Sequence, residues 1–260
     1  MVHGCIIAGG VGKRYGADVP KQFIEVEGKP IIVYTMERFE ACPSIDVYDV
    51  VCVDGYQDIV ESYRDTYGLR KFRSIVDGGP TFGESVRNGV YALADIAKPD
   101  DIFAVHMSIA PLVSDEILAD LVNVCEKCGN AFSAHPSYMC MCESDQEGYS
   151  DTFLDREKIW ALNTPQAVRY QTILDLYREA EAEGFDIQGR THLSTLMFDK
   201  GQRLYFSLAS PINIKITDPD DTELFRAFVV MRQQDDMKQG EEAPTHDVFK
   251  TESERIINAD

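Results

Sequence analysis

The stretch Cys5-Ile6-Ile7-Ala8-Gly9-Gly10-Val11-Gly12-Lys13-Arg14, continued by Pro20-Lys21-Gln22, decides the fold. Four apolar residues in a row read as a buried strand, and the glycines that follow end it in a loop. Glycines placed there let the backbone approach a ligand and turn N–H groups toward phosphate oxygens. Lys13, Arg14 and Lys21 add three cations within nine residues. The Gly-Lys-Ser/Thr of a P-loop is missing, and the glycine spacing is not that of a dinucleotide fingerprint. On this stretch alone, a tight turn with solvated lysines competes evenly with a phosphate cradle.

Outward from it, apolar runs alternate with helical periodicity. Val47–Val53, Arg73–Val76 and Ile102–His106 read as strands. Ile31–Phe39, Gln57–Tyr67, Glu84–Ala97 and Ser114–Cys128 read as helices, the last with Ser114 as N-cap and Gly129 as its stop. That alternation predicts an α/β fold: a mostly parallel twisted sheet with helices on both faces, and ligands beyond the carboxyl ends of the strands. Ala131–Ala134 reads as one more strand, and Pro136 to Asp155 is a polar, irregular excursion. Pattern returns with a helix over Tyr170–Ala182, strands over Leu204–Leu208 and Asn213–Thr217, and a helix over Pro219–Met231. From Gln233 to Asp260 there are eight acidic and three basic residues, which predicts a loosely ordered tail behind a domain of residues 1–232. The tyrosines from Tyr56 to Tyr67 read as a helix packing face.

Charge narrows the function. Lys+Arg is 25 against Asp+Glu 44, a net −19 over 260 residues. A nucleic-acid backbone and an anionic membrane are poor partners for such a chain. A phosphorylated ligand requires its few cations to be gathered at one place. The apolar start has no basic segment before it, no apolar run reaches the ~20 residues of a spanning helix, and the seven cysteines are scattered and odd in number. A cytoplasmic protein is expected. Cys125-x-x-Cys128 with Cys140-x-Cys142 has atypical spacing for zinc, so buried free thiols are expected.

Gly-Gly-x-Gly-x-Arg, Pro-Lys-Gln-Phe and Gly28-Lys29-Pro30-Ile31 together resemble a sugar-phosphate nucleotidyltransferase. Further segments follow in collinear order: Gly78-Gly79 with Ser85-Val86-Arg87-Asn88-Gly89, then Val105-His106, Pro111, Trp160, Thr164-Pro165-Gln166, and Asn213-Ile214-Lys215-Ile216-Thr217. Over residues 2–230 the chain resembles the 2-C-methyl-D-erythritol 4-phosphate and ribitol-5-phosphate cytidylyltransferases. The resemblance implies a Rossmann-like domain of the nucleotide-diphospho-sugar transferase type, with a β-arm over 136–158 exchanged within a homodimer. It implies a transferase of the EC 2.7.7 type that joins CTP to an alditol or related alcohol phosphate, giving a CDP-alcohol and pyrophosphate. Such products are precursors of isoprenoids or cell-wall polymers. By position, Arg14, Lys21 and Lys215 would be catalytic. Ala8, Gly9, Gly10, Gly12, Lys13, Gly79 and Ser85 would hold the nucleotide, and Arg156 and Thr164 the acceptor. Mg²⁺ is expected mainly through the nucleotide phosphates, with no metal-ligating residue assigned.

The departures from that pattern fall on the acceptor pocket, on one metal-side acid and on part of the base-reading segment. Where the family has His-Asp-Ala-Ala-Arg-Pro, this chain has His106-Met107-Ser108-Ile109-Ala110-Pro111. Phe82 replaces an arginine, Glu84 a frequent aspartate, and His192 an acid. An acceptor pocket lined by Met107, Met139 and Cys140 is expected, while His106 would order the loop rather than act as a base. Two alternatives stay open: a transferase using another nucleotide, and a nucleotide-binding homologue that has lost turnover.

Overall fold

The computed structural model describes residues 1–10, 19–144, 148–185 and 192–239, with side chains as far as 234. In chain order the elements are β1 (Val2–Ala8), a ribbon of β2 (Glu25–Val26) and β3 (Lys29–Pro30), α1 (Ile31–Ala41), β4 (Val47–Cys52) and α2 (Gln57–Thr66). Next come β5 (Phe72–Asp77), α3 (Phe82–Tyr91), β6 (Ile102–Met107), α4 (Asp115–Cys128) and β7 (Asn130–Pro136). A second ribbon, β8 (Met141–Cys142) with β9 (Phe153–Leu154), precedes β10 (Trp160–Arg169), α5 (Tyr170–Ala182), α6 (Leu193–Asp199), β11 (Phe206–Ser207) and α7 (Pro219–Gln239).

Seven strands form one sheet in the order β11-β7-β10-β6-β1-β4-β5. β1 pairs in parallel with β4 and β6, and β10 runs antiparallel to both β6 and β7. The chain moves outward from β1 to β4 and β5, then returns to β6 on the other side of β1. The strand order therefore reverses between β1 and β6, and a crevice opens beyond their carboxyl ends.

The sequence explains the central strand. Every residue of β1 is buried. Val2, Ile6 and Ala8 pack with α1, α2 and α4, while Cys5 and Ile7 pack with α3, α5 and α6. A strand covered on both faces needs a continuous apolar run rather than alternation. Two glycines let the helices sit close. A Cβ on Gly4 would stand 2.8 Å from Phe39 Cδ1, and one on Gly89 of α3 would stand 2.6 Å from Cys5 Sγ. Ser114 Oγ accepts from Ile117 N at 3.3 Å, and Gly129 ends α4 at φ 87°. Tyr63 is a core residue, with Tyr56 and Tyr67 packed against the same cluster.

Several expectations need correction. The Glu84–Ala97 helix begins at Phe82 and ends at Tyr91. Its start is fixed by Thr81 and Glu84, which form a reciprocal capping box. Leu204–Leu208 contributes only the two residues of β11. Asn213–Thr217 is not a strand: Asn213 N and Ile214 N bond back to Ser210 O and Ile212 O, and only Ile216 N reaches across, to Ile109 O at 2.8 Å. The terminal helix runs past Met231 to Gln239, so the boundary expected at 233 falls inside it, and residues 240–260 lie outside the described residues.

Candidate nucleotide and phosphate site

The crevice is walled by backbone that glycine keeps thin. Gln22, 2 % exposed, donates from Nε2 to Ala8 O at 2.8 Å and to Gly10 O at 2.9 Å. The glutamine of Pro-Lys-Gln thus pins the start of the glycine loop. The same short 3-10 turn, Lys21–Phe23, carries Lys21 at half-buried exposure. A Cβ on Gly9 would lie 2.7 Å from Ser85 Oγ. Ser85 Oγ in turn accepts from Gly79 N at 3.0 Å, and Gly78 N donates to Cys52 O at 2.7 Å. Gly9, Gly79 and Ser85 therefore meet beyond β1, β4 and β5. Gly10 is next to them and exposed. Gly12, Lys13 and Arg14 lie outside the described residues.

A second wall forms on the β10 side. Asn213 Nδ2 donates to Thr164 O at 2.8 Å, and Asn163 Nδ2 donates to Asn213 O at 3.2 Å. These bonds join Thr-Pro-Gln to Asn-Ile-Lys-Ile-Thr, with Lys215 exposed two residues beyond Asn213. Thr164 Oγ1 and Asn213 Oδ1 are buried and have no hydrogen-bond partner among the described residues. Unpaired buried polar atoms cost about 1–3 kcal/mol each, and a functional site is one place where they are tolerated. Arg156 lies in an exposed 3-10 turn at the foot of the arm. Gln22, Asn163 and Asn213 organise the site without having been assigned to it. Gln22 and Asn213 stand inside the quoted motifs and Asn163 directly before one, which was the available signal.

The expected acceptor pocket does not assemble within one chain. Met107 is 7 % exposed and packs with Val26, Ile31, Ile216 and Phe225, while Met139 is 74 % exposed on the arm and Cys140 is exposed beside it. Met107 is therefore core, because α7 and the Lys215 segment cover the end of β6. Glu84 is committed to capping α3. Asp221 Oδ2 accepts from Thr217 N at 2.7 Å and Asp218 N at 3.2 Å, which commits it to the start of α7. Among the described residues no three His, Cys, Asp or Glu side chains come together as a metal site. Of the four cysteines expected as buried thiols only Cys125 is buried, while Cys128, Cys140 and Cys142 are exposed at a helix end and on the arm.

His106 lies beneath the crevice, fully buried and stacked on Phe39 at 5.7 Å, with Nε2 donating to Ala110 O at 2.9 Å. Burial brings its pKa down to about 4, against a smaller upward effect of that bond. Below the ordinary histidine value the unfolded chain takes up a proton that the folded chain refuses, so stability falls with pH. The loss should run at about 1.4 kcal/mol per pH unit, from roughly 6.5 down toward 4. Urea melts between pH 7 and 5 should show a steeper decline for the parent than for His106→Gln. Equal slopes would contradict this account.

The geometry has clear relatives. Residues 2–233 match the family described as 2-C-methyl-D-erythritol 4-phosphate cytidylyltransferase. The chain is 37% identical over 229 residues to a ribitol-5-phosphate cytidylyltransferase of Lacticaseibacillus paracasei, covering 88% of this chain and 98% of that one. It is 33% identical over 225 residues to a 2-C-methyl-D-erythritol 4-phosphate cytidylyltransferase of Syntrophus aciditrophicus, covering 85% and 93%. Among solved structures, the Francisella tularensis 2-C-methyl-D-erythritol 4-phosphate cytidylyltransferase superposes with a TM-score of 0.72 at 25% identity, covering 86% and 97%. With its Rossmann-like sheet, its glycine cradle against Ser85 and its Thr164–Asn213 tie, this chain belongs to the 2-C-methyl-D-erythritol 4-phosphate cytidylyltransferase family of nucleotidyltransferases.

Proposed function

We propose that the protein transfers a cytidylyl group from CTP to the phosphate of an alditol or related alcohol, releasing pyrophosphate. The observation that carries this reading is the convergence of the two walls. One offers thin backbone for a nucleotide, and the other presents Lys215 from a strapped segment. An acceptor phosphate oxygen attacks the α-phosphorus in line, the bond to the bridging oxygen breaks, and pyrophosphate leaves with the electron pair. Negative charge grows around the pentacoordinate phosphorus, so cations fixed beforehand are the main catalytic device. Lys21 and Lys215 take that role, Arg14 holds the β/γ phosphates, and Gly9, Gly79 and Ser85 position the nucleoside. The nucleotide would enter as its Mg²⁺ complex, the metal lowering the charge that these cations must offset.

The partner reading is a homodimer. The arm carries Tyr138, Tyr149 and Phe153 exposed at 69%, 63% and 68%, and Trp160 stacks on Phe206 at 5.0 Å near its foot. A second copy covering that face would bring Arg156 to a neighbouring acceptor site. A cytoplasmic location fits a CTP-dependent reaction, and no helix among the described residues is long and apolar enough to cross a membrane. The product would feed an isoprenoid or a cell-wall polymer.

The test is pyrophosphate release with each of the four ribonucleotides, with ribitol 5-phosphate and 2-C-methyl-D-erythritol 4-phosphate as acceptors. CTP should exceed the others by at least ~10²-fold in kcat/KM, since a buried site built to hydrogen-bond one base rejects its analogues strongly. Activity with UTP or ATP alone would overturn the nucleotide. The buried Met107 and Ala110 favour a second reading, a CTP-binding protein without turnover. CTP binding by calorimetry with no product from any acceptor would support it.

A further inference from the structure

The two walls of the crevice hold themselves together by separate sets of bonds. On the cradle side, Gly79 N donates to Ser85 Oγ, and Thr81 and Glu84 cap the start of α3 reciprocally. The Lys215 segment is strapped elsewhere: to β10 through Thr164, to the loop after β6 through Ile109, and to the start of α7 through Asp221. Apolar packing joins one wall to the other.

The sheet register shows where that joint lies. Ile7 of β1 stands beside Met107 of β6, so the two side chains share one face of the sheet. Ile7 belongs to the cluster under α3, α5 and α6, and Met107 to the cluster that contains Ile216. The two clusters therefore abut at the carboxyl ends of β1 and β6, beneath the crevice. Among the described residues, Phe82 is the one half-buried side chain packed against both. It opens α3 three positions before Ser85, which makes the two side chains neighbours on one helix face.

The backbone under that ring is fixed. Thr81 Oγ1 accepts from Glu84 N at 3.2 Å, and the buried Tyr177 hydroxyl donates to Gly83 O at 3.4 Å. The His192 ring lies on another side, with centroids 5.9 Å apart and a tilt of 54°. A ring anchored on the cradle helix and pressed on the cluster of Ile216 keeps the two walls at a set distance.

We propose that Phe82 is a positioning residue, a spacer whose ring sets how far the Lys215 segment stands from the nucleotide cradle. It acts through Ile216, the residue after Lys215, and it rests on the transfer reading of that lysine. The ring supplies neither charge nor proton. It supplies placement, and a misplacement of about 1 Å can cost about 10²-fold in rate.

Kinetics and calorimetry make the first test. Phe82→Ala should lower kcat about 10–100-fold and leave the Kd for CTP within threefold, because the cradle keeps its own hydrogen bonds. Phe82→Leu, which restores most of the apolar bulk, should return kcat to within threefold of the parent. In a Lys215→Ala background, Phe82→Ala should cost less than a further threefold, since the spacer then has no ammonium to place. Full kcat in Phe82→Ala, a loss of CTP affinity in place of kcat, or an undiminished loss in the Lys215→Ala background overturns the proposal.

Amide exchange reads the same joint without turnover. Ile216 N donates to Ile109 O on one wall, and Gly78 N to Cys52 O on the other. In Phe82→Ala the Ile216 amide should exchange at least tenfold faster than in the parent, and the Gly78 amide should stay within threefold. Equal acceleration of both amides, or an unchanged Ile216 amide, overturns the spacer. Selective acceleration at Ile216 in a protein that turns over no acceptor would keep the spacer and sink the transfer reading. Should the alanine variant not fold, Phe82→Val carries both measurements, with at least threefold expected in kcat and in Ile216 exchange.

Discussion

Lys215→Ala should lower kcat by about 10²–10³-fold while the KM for CTP changes less than fivefold, the signature of a group that acts on the transition state rather than on bound substrate. Lys21→Ala should behave similarly. The double variant should lose less than the product of the two, because both stabilise the same developing charge. The structure explains why the loss should be chemical and not structural. The Lys215 segment is held by Asn213 to Thr164, by Asn163 to Asn213, and by Ile216 N to Ile109 O. None of those bonds uses the lysine side chain, and Lys215 is exposed, so the melting temperature should stay within a few degrees of the parent. Lys215 is exposed without ligand, where water screens its charge. Its effect grows when substrates fill the crevice and displace that water. Lys215→Arg should recover only part of the rate, since a planar fork does not place charge where a compact ammonium does. Turnover within threefold of the parent in Lys215→Ala would refute the assignment.

The same physics decides what could be read from the chain and what could not. Parallel strands buried on both faces announce themselves as continuous apolar runs, so β1, β4 and β6 were legible. β10 was not. Its sequence, Trp160-Ala-Leu-Asn-Thr-Pro-Gln-Ala-Val-Arg169, places Asn, Thr and Pro in the middle, where strand composition is poor. Pairing on both sides overrides that propensity, at the cost of an irregular register between Leu162 and Gln166. Asn213–Thr217 errs in the opposite direction. Its alternating isoleucines look like a strand, yet among its backbone N–H groups only Ile216 N reaches a carbonyl distant in sequence, and side-chain amides do the rest. The glycines and lysines of the site were visible because they stand out in an acidic, apolar sequence. The bonds from Gln22 to the glycine loop and from Asn213 to Thr164 were not, because they join segments 12 and 49 residues apart. Phe82 and His192 were noted only as departures from a pattern, and their contact depends on how α3 and α6 are set on the sheet.

Met107 is where position and burial disagree most, and its substitution has the largest expected effect on stability. The resemblance places an acid there, so Met107→Asp looks at first like a restoration. The structure predicts damage. Met107 is 7 % exposed among Val26, Ile31, Ile109, Ile216 and Phe225. A carboxyl group in such surroundings has its pKa raised by about 3 units, equivalent to about 4 kcal/mol at pH 7. Losing the buried methionine side chain removes about 1.5–3 kcal/mol more. Together these approach the whole stability of an ordinary domain, about 5–15 kcal/mol. The electrostatic part carries its own signature. A carboxyl with a raised folded-state pKa is neutral in both states below its unfolded value near 4, so the deficit against the parent should shrink as pH falls from 7 toward 4. Only the packing loss should remain. The His106 contribution cancels in that difference, because both proteins carry it. Met107→Leu, which conserves volume, should cost less than about 1.5 kcal/mol. Urea melts of the three proteins at pH 7 and 5 make the measurement. A Met107→Asp protein as stable as its parent at pH 7 would mean that position 107 opens into the crevice. The acid-free acceptor side would then be a matter of substrate, not of packing.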